Sequence, residues 1–324
     1  MEKKEFIDCL CVKLYDELGG GKIIRGDKVM KNNGVKLDAI TIFSIDCNIA
    51  PTIYIDGFYN RFISFEITFD EIVSEIAKMY RKESWVDKLN VEQFEEFDKI
   101  KGKIVYKIIN TEYNQDTLEN IPYIEFMDLS IVFYIMLSEG NDMEATVLIN
   151  NSQLELWGVT KDEIYSIAKE NTPNLLKCEI ISMDEVIRGM LNDNLYGSIG
   201  EENESYFINC DSIDKDEIVD RIVKDVKKKS TLDMYVLTNE KKLYGAACIL
   251  YDNVLEAFSR KMNSNIYIIP SSVHEVILVP EEEGISGKQI TAMIQDVNKN
   301  ELDPTDVLSD HVYYYNSEKK SIFK

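Results

Sequence analysis

A chain of 324 residues, 45% of them hydrophobic, is long enough for two domains and carries the apolar content of an ordinary globular protein. Fifty-eight acidic residues against 36 basic ones give a net charge of −22, which repels phosphate backbones and anionic lipids and so disfavours direct nucleic-acid binding. The longest strongly apolar run, Ile131–Leu137, falls short of the about 20 residues that a helical membrane span needs.

Acids interrupt Met1-Glu-Lys-Lys-Glu-Phe-Ile-Asp before any apolar run develops, so no secretory leader is expected. Ile7, Leu10, Cys11, Leu14 and Leu18 then recur at helical spacing, and Gly19-Gly20-Gly21 ends the helix. That glycine run precedes Lys22 but lacks the Ser/Thr of a phosphate loop. Strands are expected at Ala39–Ile45 and Thr52–Ile55. Thr68 and Glu71 form a capping box, opening a helix with an apolar face of Ile72, Val73, Ile76, Ala77 and Tyr80. The charged connection Arg81–Lys103, containing Trp85 and Phe94, divides a small N-terminal α/β unit (1–100) from a larger mixed unit (101–324).

In the second unit, Ile104–Ile109, Ser130–Leu137 and Glu144–Ile149 read as strands, the first two joined by a polar segment containing Pro122. Thr160 with Glu163 opens a helix expected to end before Pro173. Ser182 with Glu185 opens another, carrying Val186, Ile187, Met190 and Leu191. Glu179–Asp220 holds 12 acids and 2 bases, whereas Arg221–Lys229 holds 5 bases and 1 acid. The reversal fits a dipolar helix over Asp214–Lys229 with acids at its start and lysines at its end. Met234–Leu250 reads as a strand pair turning at Asn239-Glu240-Lys241, followed by a helix from Asp252 to Met262. Two strands flank Pro270-Ser271-Ser272, Ser286 with Gln289 opens a helix, and Val312–Tyr315 forms a terminal strand. Strands and helices mix without strict alternation, which predicts an α+β fold of mixed sheets with packed helices.

The chain's two histidines lie beside Ser and acid residues. Ser271, Ser272, His274 and Glu275 form one group, and Ser309, Asp310 and His311 the other. Serine catalysis needs a base within hydrogen-bond reach, an orienting acid and an oxyanion hole, and there is no G-x-S-x-G elbow. Ser272, His274, Glu275, Asp310 and His311 are therefore the candidate catalytic residues, while His274 on an extended strand shares a face with Val276 and Leu278 as a core residue would. The same histidines with Glu275 or Asp310 make a two-histidine, one-carboxylate metal set chemically possible, yet H-E-x-x-H spacing is absent, so neither metal nor cofactor is expected. Six scattered cysteines (Cys9, Cys11, Cys47, Cys178, Cys210, Cys248) lack a C-x-x-C pair and read as free thiols of a cytoplasmic protein. Eighteen tyrosines, with Tyr313-Tyr314-Tyr315 in a row, suit half-buried strands and contact surfaces alike.

Several segments carry a family resemblance: Lys31–Gly34, Pro51–Tyr54, Trp157–Thr160, Ala168–Pro173, Met234–Asn239, Leu243–Ala247, Pro270–Val276 and Leu308–Tyr315. They resemble the bacterial family catalogued as domain of unknown function 5688 across nearly the whole chain. The resemblance implies a bacterial cytosolic protein and supplies no activity. A weaker similarity to the YtpQ-like family covers Trp157–Tyr165 and Leu255–Val279, and groups the chain after about residue 103 as one unit. The expected function is a non-enzymatic interaction or regulatory protein whose acidic surface engages a protein partner, a charge that permits a basic one. The alternatives are a hydrolase-like enzyme using His274 or His311 with neighbouring Ser, Asp or Glu, and an acidic decoy occupying the nucleic-acid groove of a basic protein.

Overall fold

In the computed structural model, residues 1–19, 21–44, 51–82, 94–138, 144–197, 224, 232–270, 272–282 and 302–324 are described, with 287, 290–291, 294–295 and 298 between the last two ranges. The chain divides into two units, the first comprising Met1–Lys103, Tyr113–Ile121 and Ile149–Thr160, the second Ile104–Glu112, Pro122–Leu148 and Lys161–Lys324.

In the first unit, helix α1 (Lys3–Leu18) buries Phe6, Leu10 and Leu14, with Ile7, Cys11 and Leu18 partly buried beside them. The helical spacing read from sequence thus marks the packed face. The helix ends at Gly19, whose φ of 81° a glycine adopts without steric cost. Strand β1 (Lys22–Met30) pairs antiparallel with β2 (Lys36–Ser44) over nine residues, and β3 (Thr52–Tyr54) lines the other side of β2. The sequence reading placed no strand at β1, because Gly26 and four charged residues weaken its local propensity. Packing explains both features: a Cβ on Gly26 would overlap Ile7 of α1, and the charges sit on an edge strand.

Helix α2 (Asp56–Ile63) was likewise not anticipated. Helix α3 (Phe69–Lys82) starts with the expected box: Thr68 N–H donates to Glu71 Oε2 at 2.8 Å and Glu71 N–H to Thr68 Oγ1 at 3.3 Å. All five residues of its predicted apolar face are buried, and they meet Phe6, Leu10, Leu14, Ile40, Ile42, Ile53 and Ile55 in one core. The Lys3 ammonium ties α1 to β2 and α2 through Asp38 and Asp56. Short helices α4 (Phe97–Ile100), α5 (Gln115–Leu118) and α6 (Asn151–Trp157) complete the unit. An Asn150/Gln153 capping box starts α6, and Trp157 Nε1 donates to the Phe94 carbonyl at 2.8 Å.

The second unit holds two antiparallel sheets. In one, β6 (Leu129–Ser138) pairs with β4 (Ile104–Asn110), β5 (Tyr123–Phe126) and β7 (Glu144–Leu148). Strand β5 falls where the sequence reading expected only a polar connection; pairing to β6 makes the strand, not local propensity. Helix α7 (Lys161–Leu175) runs through Pro173 instead of ending before it. Side chains around the proline fasten the helix to β4: Thr172 Oγ1 accepts from Tyr106 N–H at 3.1 Å, and Asn171 Nδ2 donates to the Ile104 carbonyl at 2.9 Å. That docking outweighs one missing helical hydrogen bond in the last turns.

The other sheet has the order β13-β12-β10-β11-β9-β8, built from β8 (Cys178–Ser182), β9 (Tyr235–Asn239), β10 (Ile266–Ile269), β11 (Val276–Pro280), β12 (Tyr313–Asn316) and β13 (Ser321–Phe323). Helix α8 (Met183–Gly197) opens on the expected Ser182/Glu185 box, and α9 (Val254–Met262) buries Leu255 and Phe258. Tyr313 and Tyr315 point into the core while Tyr314 is half-buried, the alternation a strand imposes. One expected strand is absent: Leu243–Leu250 is not the second arm of a hairpin but contains a 3-10 helix, Gly245–Leu250. Only scattered positions of the segment after Ser286 are described, with Ile290 and Ile294 buried. The Asp214–Lys229 helix, apart from Lys224, and Cys47, Trp85, Cys210 and Ser271 lie outside the described residues. The fold is α+β, and among the described residues no helix is long and apolar enough to cross a membrane.

Candidate functional site

The two Ser-x-His groups prove to be backbone turns of the same kind. Ser272 Oγ accepts from His274 N–H at 3.0 Å, and Ser309 Oγ accepts from His311 N–H at 3.1 Å. Serine side chains bond their own backbone two residues on in such turns, so the sequence proximity reflects turn chemistry. Each histidine has its own partners, and among the described residues no hydrogen bond or ion pair joins the two.

His311 belongs to a cluster centred on Asp128, a residue absent from the sequence candidates because it lies 183 positions away. Asp128 Oδ2 accepts from Ser309 Oγ at 2.9 Å and lies 3.2 Å from both His311 Nδ1 and Lys324 Nζ. Its Oδ1 accepts from Tyr313 OH at 3.0 Å. Burial opposes ionisation of this carboxyl, but the hydrogen bonds from Ser309, Tyr313 and Lys324 prevail and hold it below its ordinary value. Catalysis by a triad needs the acid on one ring nitrogen and the serine on the other. Here Ser309 and Asp128 address the same nitrogen, Ser309 donates its proton directly to the carboxylate, and Ser309 is fully buried. The arrangement pins the segment before β12 to the β5–β6 turn. Asp310 points elsewhere, accepting from Asn298 Nδ2 at 2.8 Å.

His274 sits in the loop before β11, not on the strand, and its side chain is 36% exposed, which corrects the expectation of a core histidine on the Val276/Leu278 face. Its Nδ1 accepts from Tyr244 N–H at 3.3 Å, so the neutral ring carries its proton on Nε2, facing Asp306 Oδ1 at 3.7 Å. The Tyr244 ring stacks on the imidazole with centroids 5.5 Å apart, and the Lys107 ammonium lies 4.0 Å from the Tyr244 ring centre. Tyr244 and Lys242 both have φ of 53°. Fully buried Asn239 holds this turn, donating to the Leu243 carbonyl and accepting from the N–H groups of Lys241 and Leu243. A Cβ at the next residue, Gly245, would overlap Thr238 Oγ1 and lie 2.6 Å from the His274 carbonyl. That close approach explains why Gly-Ala-Ala follows and why the segment cannot pair as a strand. The backbone of Glu275 closes the loop, its carbonyl accepting from Ser272 N–H.

Among the described residues no three of His, Cys, Asp and Glu converge as a metal-binding set. The described cysteines, Cys9, Cys11, Cys178 and Cys248, are free thiols. Cys248 is fully buried, and burial pushes its thiol up to about 12, far from the thiolate a nucleophile needs.

A different feature stands out in the first unit, and it escaped the sequence reading because no periodicity marks it. Helix α2 ends in a Schellman motif: Phe65 N–H donates to the Phe62 carbonyl, and Glu66 N–H to the Arg61 carbonyl. The left-handed position of that motif normally holds glycine. Here it holds Phe65, with φ of 60° and 95% of its surface exposed. Phe65 borders a groove of about 450 Å³ lined by Met1, Phe62, Ile63, Ile67 and Phe69, with Glu66 and Glu71 as its charged side chains. Ile63 is itself 50% exposed. A large ring held in solvent at a backbone cost is the kind of strain that collects at recognition sites.

The model of a family described as Family of unknown function (DUF5688) matches residues 3–317. No curated protein and no solved structure matches the chain.

Proposed function

We propose that this protein, which belongs to the DUF5688 family, works by protein interaction, receiving a basic amphipathic segment of a partner in the Phe65 groove. Phe65 supports the reading. Its ring is 95% exposed in a position where glycine would relieve the backbone, so neither folding nor packing accounts for the phenyl group. Lys and Arg are missing from the described groove lining while Glu66 and Glu71 are present, and the chain carries −22 overall. A segment with apolar residues on one face and Lys or Arg beside them complements both properties.

The test uses two designed helical peptides with the same leucine face, one bearing lysines and the other glutamates. The lysine peptide should bind with an affinity that falls with salt, and the glutamate peptide should not. Phe65→Gly removes a contact of about 2–3 kcal/mol, a loss of roughly 30- to 150-fold in affinity, while fold stability stays level or rises by up to about 1 kcal/mol. Equal binding of the two peptides, or a Phe65→Gly protein that binds like the parent, overturns the proposal.

A further inference from the structure

Strand β1 ends its sheet: β2 pairs along one side, and among the described residues no strand pairs along the other. The hydrogen bonds of the neighbouring strands fix which backbone groups face that open side. Ile42 N–H donates to the Pro51 carbonyl and Ile55 N–H to the Asp38 carbonyl, so the even-numbered residues of β2 bond toward β3 and the odd-numbered ones toward β1. Opposite those odd residues stand Ile23, Arg25, Asp27 and Val29. The Lys31 N–H to Val35 carbonyl bond at 2.7 Å closes the hairpin in the same phase. Ile24, Gly26 and Lys28 therefore present their N–H and C=O groups to the open edge. Gly26, in the middle, is exposed although Ile7 of α1 lies over it.

The sequence of this strand is complementary to itself in one register. On the face turned away from α1 the order is Ile23, Arg25, Asp27, Val29. A second copy laid antiparallel with Gly26 against Gly26 sets Ile23 opposite Val29 and Arg25 opposite Asp27, each twice. On the other face Lys22 meets Met30 and Ile24 meets Lys28, so all nine residues pair and no like charges stand directly opposite. Alignment on Arg25, Asp27 or Lys28 instead sets that charge against its own copy. The Gly26 register also joins edge-facing backbone groups to edge-facing backbone groups. It leaves the Arg25/Asp27 and Ile23/Val29 pairs at the non-hydrogen-bonded positions, where side chains approach most closely.

Charges on an edge strand commonly keep other strands away. Here their signs favour the strand's own copy, and they sit among exposed apolar side chains: Ile23 is 49% exposed, and Phe43, beside it on β2, 38%. We propose that the protein dimerises through β1, two copies pairing antiparallel about Gly26 around a twofold axis perpendicular to the sheet. The two three-stranded sheets then join into one, with both α1 helices on the same face.

Analytical ultracentrifugation of the full chain, at concentrations up to about 1 mM, should show a monomer–dimer equilibrium. Arg25→Asp sets acid against acid at two positions and Asp27→Arg sets base against base. Each should weaken dimerisation about tenfold or more, because two cross-strand pairs change at once. The double exchange, Arg25→Asp with Asp27→Arg, restores both pairs and should dimerise like the parent. An equimolar mixture of the two single variants should form a mixed dimer, one strand now acidic at both positions and the other basic. Lys28→Pro removes an edge-facing N–H while sparing the bonds to β2, and should also abolish the dimer. A monomeric parent, single reversals or a Lys28→Pro protein that dimerise like the parent, a double exchange as weak as either single variant, or no mixed dimer overturns the proposal. Strand β1 contributes no residue to the Phe65 groove, so none of these results bears on it.

Discussion

Replacing Asp128 with alanine tests whether a single carboxylate fastens the C-terminal segment of the second unit. Two of its donors, Ser309 and Tyr313, are fully buried, at 2.9 and 3.0 Å. Hydrogen bonds to a charged acceptor contribute about 1.5–3 kcal/mol each. The His311 and Lys324 side chains are 50% and 40% exposed, so each of those pairs contributes at most about 1 kcal/mol. Ser309 also lies 3.5 Å from His311 Nδ1 and can redirect there, which lowers the sum. The expected loss is about 3–5 kcal/mol, and about half as much for Asp128→Asn, whose amide keeps one acceptor oxygen but sets its NH₂ against the remaining donors. The effect depends on pH with a defined sign. A carboxyl whose value is lower folded than unfolded stabilises the fold above the unfolded value and loses that contribution as pH falls through the folded one. The difference between parent and Asp128→Ala should therefore shrink on acidification below the ordinary carboxylate range. Urea denaturation, with hydrogen exchange of Tyr313–Asn316 to localise the effect, measures it. A double-mutant cycle with Tyr313→Phe should yield a coupling of about 1–3 kcal/mol. An Asp128→Ala protein within 0.5 kcal/mol of the parent, or a coupling near zero, would refute the reasoning.

Gly245→Ala should cost about 2–3 kcal/mol in denaturation experiments, since its Cβ meets the His274 carbonyl at 2.6 Å and the Asn239 N at 2.8 Å, both backbone atoms. His274→Ala deprives the Tyr244 N–H of its acceptor and the Tyr244 ring of its stack, an expected loss of about 1–2 kcal/mol. His311→Ala breaks only an exposed pair and should cost at most about 1 kcal/mol, so the opposite order of the two losses contradicts these assignments. Brief alkylation at pH 8 followed by peptide mapping should label exposed Cys9 and spare Cys248 until denaturant is added; early labelling of Cys248 speaks against its burial. Duplex DNA titrated at physiological salt should show negligible binding because of the −22 charge; tight, salt-sensitive binding would mean that a local basic patch dominates.

Local patterns alone determined much of this protein. The apolar stripes of α1 and α3, the Thr68/Glu71 and Ser182/Glu185 boxes, the strands β4, β6, β10 and β11, and the in-and-out tyrosines of β12 all follow from periodicities and caps spanning a few residues. The failures share a cause. Strands β1 and β5 exist because β2 and β6 offer them edges, α7 survives Pro173 because β4 holds it, and Leu243–Leu250 curls because Gly245 must pass against the backbone at His274. Each depends on a partner outside the segment itself, a hairpin neighbour for β1 and β5 and residues distant in sequence for α7 and Leu243–Leu250. The candidate chemistry divides the same way. Composition put Ser beside His twice, which suggested a site, but only tertiary structure supplied Asp128, 181 residues from Ser309, and aimed both at one ring nitrogen. Likewise no sequence signal distinguished Phe65 from a core phenylalanine: burial is decided by what packs above a residue, and among the described residues nothing packs above this one.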